Sequence, residues 1–279
     1  MGLILDNNAI LSADTLQRYN AIIAHNNLFR ASEAIVTPTS EQVGYEAINA
    51  YKEGQTFDFW KPSTVATQQE LELELPSSYS VNYVAFAAHN LFSVGNAAIQ
   101  VQNSSDGIAW SDSFTPAFIV PDDSPFIYTF AAVSNVFHKI NFTTLDAIPS
   151  IGVVSIGHLM NVPVPKAGPY VEPRYARENR YINERSETGQ ILGKQLISEG
   201  AAFNLTVRGI ESTWIRDIWE PNIRSIEQYP FFAAVVEGVR PLSGRVVETF
   251  YGIASSQPSF SYDNQVYGTI SLNAAGIVT

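Results

Sequence analysis

The chain of 279 residues is long enough for two domains of ordinary size, and its composition of 46% hydrophobic and 15% charged residues excludes a disordered protein. The absence of cysteine excludes disulfides, thiolate metal sites and cysteine nucleophiles. The net charge of −11 lies almost wholly in residues 1–164, which hold 5 Lys/Arg against 15 Asp/Glu, and this acidic balance argues against a nucleic-acid partner.

The first residues predict neither a targeting signal nor a membrane segment. Met1-Gly2-Leu3 begins a stretch without a basic region or a long apolar run, so we expect no signal peptide and no membrane span. After Ser12, a plausible N-cap, apolar residues recur at helical spacing. This spacing predicts a short helix over Ser12–Ala24, packed on the structure that follows.

From Ala31 onward the pattern favours β-strands. Leu71, Leu73 and Leu75 alternate with three glutamates, which predicts a strand with leucines facing inward and carboxylates facing outward. A row of carboxylates could hold a cation, but the solvated face of an antiparallel strand is the interpretation we prefer. His138 shares an apolar face with Ile140 and is interpreted as a core residue rather than a ligand.

An ordered series of segments resembles the discoidin, or galactose-binding-like, family over residues 30–160. The segments are Tyr45–Ala50, Phe57–Trp60, Leu71–Leu75, Val84–Phe86 with His89-Asn90, Ile99–Trp110 and Phe137–Phe142. The resemblance implies a jelly-roll β-sandwich that binds ligands at loop tips, where aromatic rings stack on sugars. The ligand-binding candidates it implies are Tyr45, Phe59, Trp60 and His89, each of which is also a plausible core residue. The cysteine pair common in secreted members is missing, which weakens a secreted-lectin interpretation.

A proline-rich segment separates this half from the rest of the chain. Proline fixes φ and lacks an N–H, so the four prolines and one glycine of residues 163–173 predict a stiff, extended connector. We therefore expect three parts: a sandwich with its N-terminal helix over 1–162, the connector, and a β-rich domain with a short helix over 174–279. The predicted fold class is all-β.

The second half balances 11 Lys/Arg, nine of them Arg, against 12 Asp/Glu. Phe203–Arg208 alternates like a half-buried strand, Phe231–Val236 reads as a buried strand, and Thr213–Trp219 predicts a helical turn that Pro221 ends. Arginine beside glutamate suits interfaces, although local surface ion pairs explain it equally well. The interface candidates are Arg174, Arg177, Arg180, Arg185, Trp214 and Trp219, with core packing the alternative for the tryptophans.

No arrangement typical of catalysis or cofactor binding occurs in the sequence. Its four histidines form no metal-like pair, and there is no Gly-x-Ser-x-Gly elbow, phosphate-binding glycine loop or His-Glu-x-x-His. Asp122-Asp123 between two prolines indicates an exposed turn rather than a calcium site. We expect a protein without catalytic residues, metal or cofactor.

Two functions are predicted. Residues 165–279 loosely resemble distal-tail-type proteins, through Gly168-Pro169-Tyr170, Trp214–Trp219, Glu248–Gly252 and Gly268–Leu272. This resemblance implies a virion protein of a phage tail tip or baseplate, made in the host cytoplasm. It would form a homo-oligomeric ring, hexameric or trimeric, that contacts tube and hub proteins. The β-sandwich would face outward from this ring and bind glycans on the host surface. The alternative is a carbohydrate-binding module or adhesin without catalysis.

Overall fold

The computed structural model describes residues 19–52, 54–65, 67–163, 176, 180–185, 187–198, 200–237, 244–246 and 249–276. Strands in antiparallel pairs dominate this part of the chain, and the all-β prediction is confirmed. The strands are β1 (Tyr19–Ala24), β2 (Ile35–Pro38), β3 (Gln68–His89), β4 (Ala98–Ser104), β5 (Ser111–Asp112), β6 (Phe118–Ile119), β7 (Phe126–Thr143), β8 (Ile151–Gly157), β9 (Met160–Asn161), β10 (Arg180–Arg185), β11 (Ile191–Ser198), β12 (Ala202–Glu211), β13 (Phe231–Glu237), β14 (Gly244–Val246), β15 (Phe250–Ala254), β16 (Ser259–Tyr262) and β17 (Tyr267–Gly276).

The predicted β-sandwich is built on the long pair of β3 and β7. These strands pair along most of their lengths, with an interruption between Glu74 and Tyr79, where Pro76 cannot donate to the ladder. On one side of the interruption they pair with β2 and β4, and β4 in turn pairs with β5 and β6; we call this part the front sheet. On the other side they pair with β8 and β14, and we call this part the rear sheet.

One apolar core lies between the two sheets of the sandwich. Leu71, Leu73 and Leu75 of the front sheet are at most 2% exposed and share a cluster with Phe86 and Val154 of the rear sheet. The predicted alternation of inward leucines and outward glutamates is therefore confirmed. His138 is also buried, as its position on an apolar face predicts, and burial lowers its pKa.

A second sheet has the strand order β12-β17-β15-β13-β1-β9, with β16 paired to β17. Its separate core is covered by a helical segment, which comprises Ser212–Trp214, a π-helical stretch Ile215–Trp219, and Glu220–Gln228. The prediction that Pro221 ends the helix is wrong. Pro221 is the second residue of the last part, directly after the π-helical stretch, and the helix continues through it to Gln228.

The predicted N-terminal helix is wrong over Tyr19–Ala24, which is strand β1; residues 12–18 lie outside the described part of the chain. β1 lies between β13 and β9, so ladder hydrogen bonds with distant segments override the local helical spacing. Conversely, β14 from the second half pairs with β7 of the sandwich. The two sheet systems therefore exchange strands. Residues 164–173 of the predicted connector lie outside the described residues, and the division of the chain there stays a prediction.

A third apolar layer joins the sandwich to the second sheet. It brings β1, β13 and β15 against the outer side of the rear sheet. Its buried members are Ile22, Ala24, Tyr83, Ala85, Ala87, Ile127, Val153, Leu159, Phe232, Ala234, Val246 and Tyr251. We call this layer the joint. It fixes the position of the second sheet against the sandwich.

Candidate functional site

The sandwich collects several loops at one end, which we call the loop end. β3 ends there at His89, while β7 begins at Phe126 and β8 at Ile151. Backbone hydrogen bonds join Trp60 to Ile151 in both directions, at 2.9 and 3.1 Å, and Asn90 N–H donates to the Ser150 carbonyl at 3.2 Å. The loops 54–60, 90–97, 120–125 and 144–150 therefore meet at this end of the sheets.

Three of the half-buried side chains at this end form a cation–aromatic group. The ammonium of Lys61 lies 4.2 Å from the ring centre of Tyr45 and 5.7 Å from that of Phe59. Each contact attracts the cation to the negative face of the ring. Tyr45 and Phe59, two of the predicted ligand-binding residues, are thus brought together, and their role in ligand binding stays a prediction.

Trp60 and His89, the other two predicted ligand-binding residues, belong to the interior. Trp60 is 0% exposed, packs against Phe142 at a ring distance of 5.9 Å, and donates its indole N–H to the Ser40 carbonyl at 3.1 Å. The ring of His89 packs edge-on against Phe126 at 5.4 Å. The core alternative is therefore correct for both residues, and neither presents an open ring face to a ligand.

His89 nevertheless helps to shape a loop. Its Nδ1 lies 3.8 Å from a carboxylate oxygen of Asp123. The same carboxylate accepts the backbone N–H of Phe92 at 2.8 Å and the hydroxyl of Ser93. Asp123 therefore ties the loop after β3 to the loop before β7. This carboxylate is a loop anchor, in keeping with the turn predicted at Asp122-Asp123.

Two aromatic side chains at the loop end remain in water. Phe57 is 70% exposed, and Phe92 is 43% exposed. Neither was singled out as a ligand candidate from the sequence, because an exposed and a buried phenylalanine look alike in a motif. The available signal was the position of Phe57 between Thr56 and Asp58, a polar surrounding that is typical of a loop.

Tyr251 of the second sheet and Arg30, which follows β1, hold the base of the loop that carries Phe57. The hydroxyl of Tyr251 donates to the Gly54 carbonyl, and Arg30 Nε donates to the Tyr51 carbonyl. Gly54 has φ +68, and a Cβ there would lie 2.7 Å from both the Arg30 guanidinium and the Tyr251 hydroxyl. Another residue would be strained at this positive φ, and its Cβ would displace both side-chain ends, so the position favours glycine.

The joint also contains a small polar cleft, but the polar groups that line it form hydrogen bonds within the protein. His25 Nδ1 lies 3.3 Å from Ser225 Oγ, and Asn27 Nδ2 donates to the Val154 carbonyl at 2.9 Å. Burial lowers the pKa of His25 to about 4, so this histidine is neutral near pH 7. Since these polar groups are satisfied within the protein, the cleft is a structural contact between the sheets.

The predicted interface residues divide between core, surface and the undescribed part of the chain. Trp219 is fully buried and stacks at 6.4 Å on the half-buried Trp214, so core packing is the correct alternative for Trp219. Arg180 and Arg185 bound strand β10, and their side chains lie outside the described part. Arg174 and Arg177 lie outside it altogether, so the interface role of the arginines stays a prediction.

Two searches of the described residues bear on cofactors and membranes. No group of three or more His, Asp or Glu side chains is arranged to hold a metal ion there. No helix in the same residues is long and apolar enough to cross a membrane.

No protein-family model and no curated protein sequence matches the chain. Among solved structures, the chain is similar to chitosan-binding module 1 from the chitosanase/glucanase of Paenibacillus sp. IK-5, at 22% identity and a TM-score of 0.38, covering 48% of this chain and 100% of the module. It is similar to the module CBM32-5 of Clostridium perfringens, solved with GalNAc-β-1,3-galactose, at 21% identity and a TM-score of 0.39, covering 45% and 95%.

A third similar structure is the GH29 fucosidase of Ruminococcus gnavus in complex with fucose. The identity is 16% and the TM-score 0.41, and the alignment covers 48% of this chain and 27% of the fucosidase. The chain thus spans about a quarter of that enzyme's length. These are similarities of β-sandwich fold. The resemblance of the second half to distal-tail-type proteins stays a prediction.

Proposed function

We propose that the chain is a glycan-binding protein without catalytic activity, and that its sandwich holds sugar at the loop end. The observation that carries the proposal is the 70% exposure of Phe57, on a loop whose base is fixed by Arg30 and Tyr251. An aromatic ring in water has apolar surface to bury, and the C–H face of a sugar ring is flat enough to cover it. Glycan binding thus accounts for a ring that the fold leaves uncovered.

The neighbouring groups can complete such a site. Lys61 can donate to sugar hydroxyls, while Tyr45 and Phe59 hold its ammonium in place. Asp58 is exposed beside Phe57 and can accept hydrogen bonds from hydroxyls. Because the loop base is held by hydrogen bonds before a ligand arrives, less conformational entropy is lost on binding.

The Phe57→Ala variant tests this proposal. Wild type is first screened on a glycan array, and the affinity for the best glycan is then measured by calorimetry. We expect the substitution to weaken binding about tenfold, because one stacking contact is lost, without a change in melting temperature. Val65→Ala, which shortens an apolar residue that is 60% exposed, should bind like wild type. A wild-type protein that binds no glycan on the array, or equal affinity in Phe57→Ala, would contradict the proposal.

A second candidate function is self-assembly, as in the ring of a phage tail tip or baseplate. The observation that favours it is the hairpin of β10 and β11, which among the described residues pair only with each other. Tyr181 and Leu196 are cross-strand partners in this hairpin, and both are about two-fifths exposed, as Ile182 is to 49%. Exposed apolar side chains on a separate hairpin are typical of surfaces that pack against another protein. The ring, its tube and hub neighbours and the virion location are proposals.

Native mass spectrometry tests self-assembly directly. We expect a closed hexamer or trimer, and we expect Ile182→Asp to shift the population toward monomer, because a buried carboxylate in an apolar contact is unfavourable. Ile253→Asp serves as the control, since Ile253 is 39% exposed but lies on β15, which belongs to the second sheet and does not pair with the hairpin. A wild-type protein that stays monomeric at high concentration would exclude this second function.

A further inference from the structure

The outer face of the front sheet carries polar side chains in two cross-strand rows. Strand register places Glu70, Asn141 and Gln100 side by side in one row. It places Glu72, Lys139 and Gln102 in the next row. Directly paired residues point to the same side of a sheet, and the leucines that alternate with the glutamates are in the core, so both rows face outward. We call these six residues, with Trp110 and Asp112, the amide face.

The side chains of the amide face orient one another. Asn141 Nδ2 donates to Gln102 Oε1 at 2.8 Å, and Gln102 Nε2 donates to Asp112 Oδ1 at 2.8 Å. Gln100 Nε2 donates to the Phe114 carbonyl. A solvated strand face needs no such chain, because water satisfies amides equally well. These hydrogen bonds hold amide and carboxylate groups in fixed positions, as a binding surface for hydroxyl groups requires.

An aromatic ring lies beside these amides. Trp110 is half-buried, and the ammonium of Lys139 lies 4.4 Å from its ring centre and 3.6 Å from a carboxylate oxygen of Glu70. The Lys139 side chain, which is 12% exposed, therefore lies over one face of this ring. If Lys139 turned outward toward solvent, it would leave the Trp110 ring face open to a ligand.

One acceptor on this face has no partner. Asn141 is 6% exposed, and its Oδ1 accepts no hydrogen bond within the protein. A buried, unpaired acceptor is unfavourable and calls for an explanation. Asn141 pairs with Glu70 in its row and lies two residues along β7 from Lys139, so both side chains point to the same side of the sheet. Binding at this face therefore requires Lys139 to move outward, so that the Trp110 ring and the Asn141 acceptor become accessible to a ligand.

We propose that the amide face is a second sugar-binding surface and that it binds an amino-sugar chain along the strands. The inference rests on the proposed glycan-binding function and adds a second site and a ligand class to it. Trp110 stacks on one sugar ring, Asn141 Oδ1 accepts a hydroxyl, and Gln102 and Asp112 bond further hydroxyls. Glu70, Glu72 and Asp112 outnumber the single ammonium of Lys139, so the face attracts ammonium groups and repels carboxylates.

The experiment compares three hexasaccharides as probes, using the full chain and calorimetry: glucosamine, N-acetylglucosamine and galacturonic acid. We expect the glucosamine hexamer to bind most tightly and the galacturonic acid hexamer to bind least. Trp110→Ala should weaken glucosamine hexamer binding about tenfold. Ile108→Ala is the matched control, because Ile108 is 85% exposed in the same loop and is not one of the eight residues of the amide face. Glu72→Gln should weaken binding of the glucosamine hexamer but not of the other two hexamers. If Trp110→Ala does not fold, Glu72→Gln, which removes a charge and keeps the side-chain size, still tests the site.

The possible results distinguish binding at the amide face from binding at the loop end. Loss of glucosamine hexamer binding in Trp110→Ala and Glu72→Gln, with wild-type affinity for this hexamer in Phe57→Ala, supports the amide face, while the best arrayed glycan still tests the loop end. Unchanged affinity in both amide-face variants, with loss in Phe57→Ala, overturns the amide face and leaves the proposed function standing. Equal or tighter binding of the galacturonic acid hexamer overturns the ligand class. A wild-type protein that binds neither these probes nor any arrayed glycan overturns both proposals.

Discussion

Replacing Trp60 by alanine is expected to lower the free energy of unfolding by about 3–5 kcal/mol. The side chain is fully buried and packs on Phe142, so its removal leaves a cavity in the core of the sandwich. The indole N–H also loses its bond to the Ser40 carbonyl, which leaves that carbonyl unsatisfied. Urea unfolding followed by circular dichroism measures the change.

Phe57→Ala and Trp60→Ala together separate ligand contact from stability. Both remove an aromatic ring from the same loop, but only Trp60 lies in the core. Phe57→Ala should unfold at the wild-type urea concentration and lose glycan affinity. Weaker glycan binding by Trp60→Ala reflects the lost fold and carries no information about stacking. Unfolding of Trp60→Ala at the wild-type midpoint would show that the ring is not a core element.

Local alternation made much of the fold predictable. Leu71, Leu73 and Leu75 read as an inward face because side chains alternate along a strand whatever its neighbours are. Strand β13 was equally clear from its apolar run. Strand β1 was not, because Ile22 and Ile23 fit a helix or a strand, and the choice is made by β13 far along the chain. Pairing between distant segments leaves no trace in a short window of sequence.

The candidate site was less predictable, because burial decides which aromatic side chains are available to a ligand. Tyr45, Phe59 and Trp60 have similar local surroundings, yet Trp60 alone is fully enclosed. The glutamates alternating with leucines revealed the outward face of β3, but not that Lys139 and Gln102 would lie beside Glu72. That row depends on the register of three strands. The residue types of the amide face could be read from the sequence, but which of them are neighbours depends on how the strands pair.

The joint should be as sensitive to substitution as the cores. Side chains of β13 alternate between two apolar layers: Phe231 and Ala233 enter the second core, while Phe232 enters the joint. Phe232 is 1% exposed and lies 4.5 Å from the ring of its cross-strand partner Tyr251. We expect Phe232→Ala to lower the free energy of unfolding by about 3–5 kcal/mol, as measured by urea unfolding.

The same substitution should also affect the structure of the loop end, because the Tyr251 hydroxyl donates a hydrogen bond to the Gly54 carbonyl. A cavity beside the Tyr251 ring frees its hydroxyl to move, so the loop carrying Phe57 becomes less ordered and glycan affinity falls even where the protein is fully folded. Ile253→Ala, on the same strand as Tyr251 but with a side chain 39% exposed, should change the unfolding free energy by less than about 0.5 kcal/mol and leave affinity intact. Wild-type affinity in folded Phe232→Ala would mean that the second sheet stabilises the sandwich without positioning its binding loop.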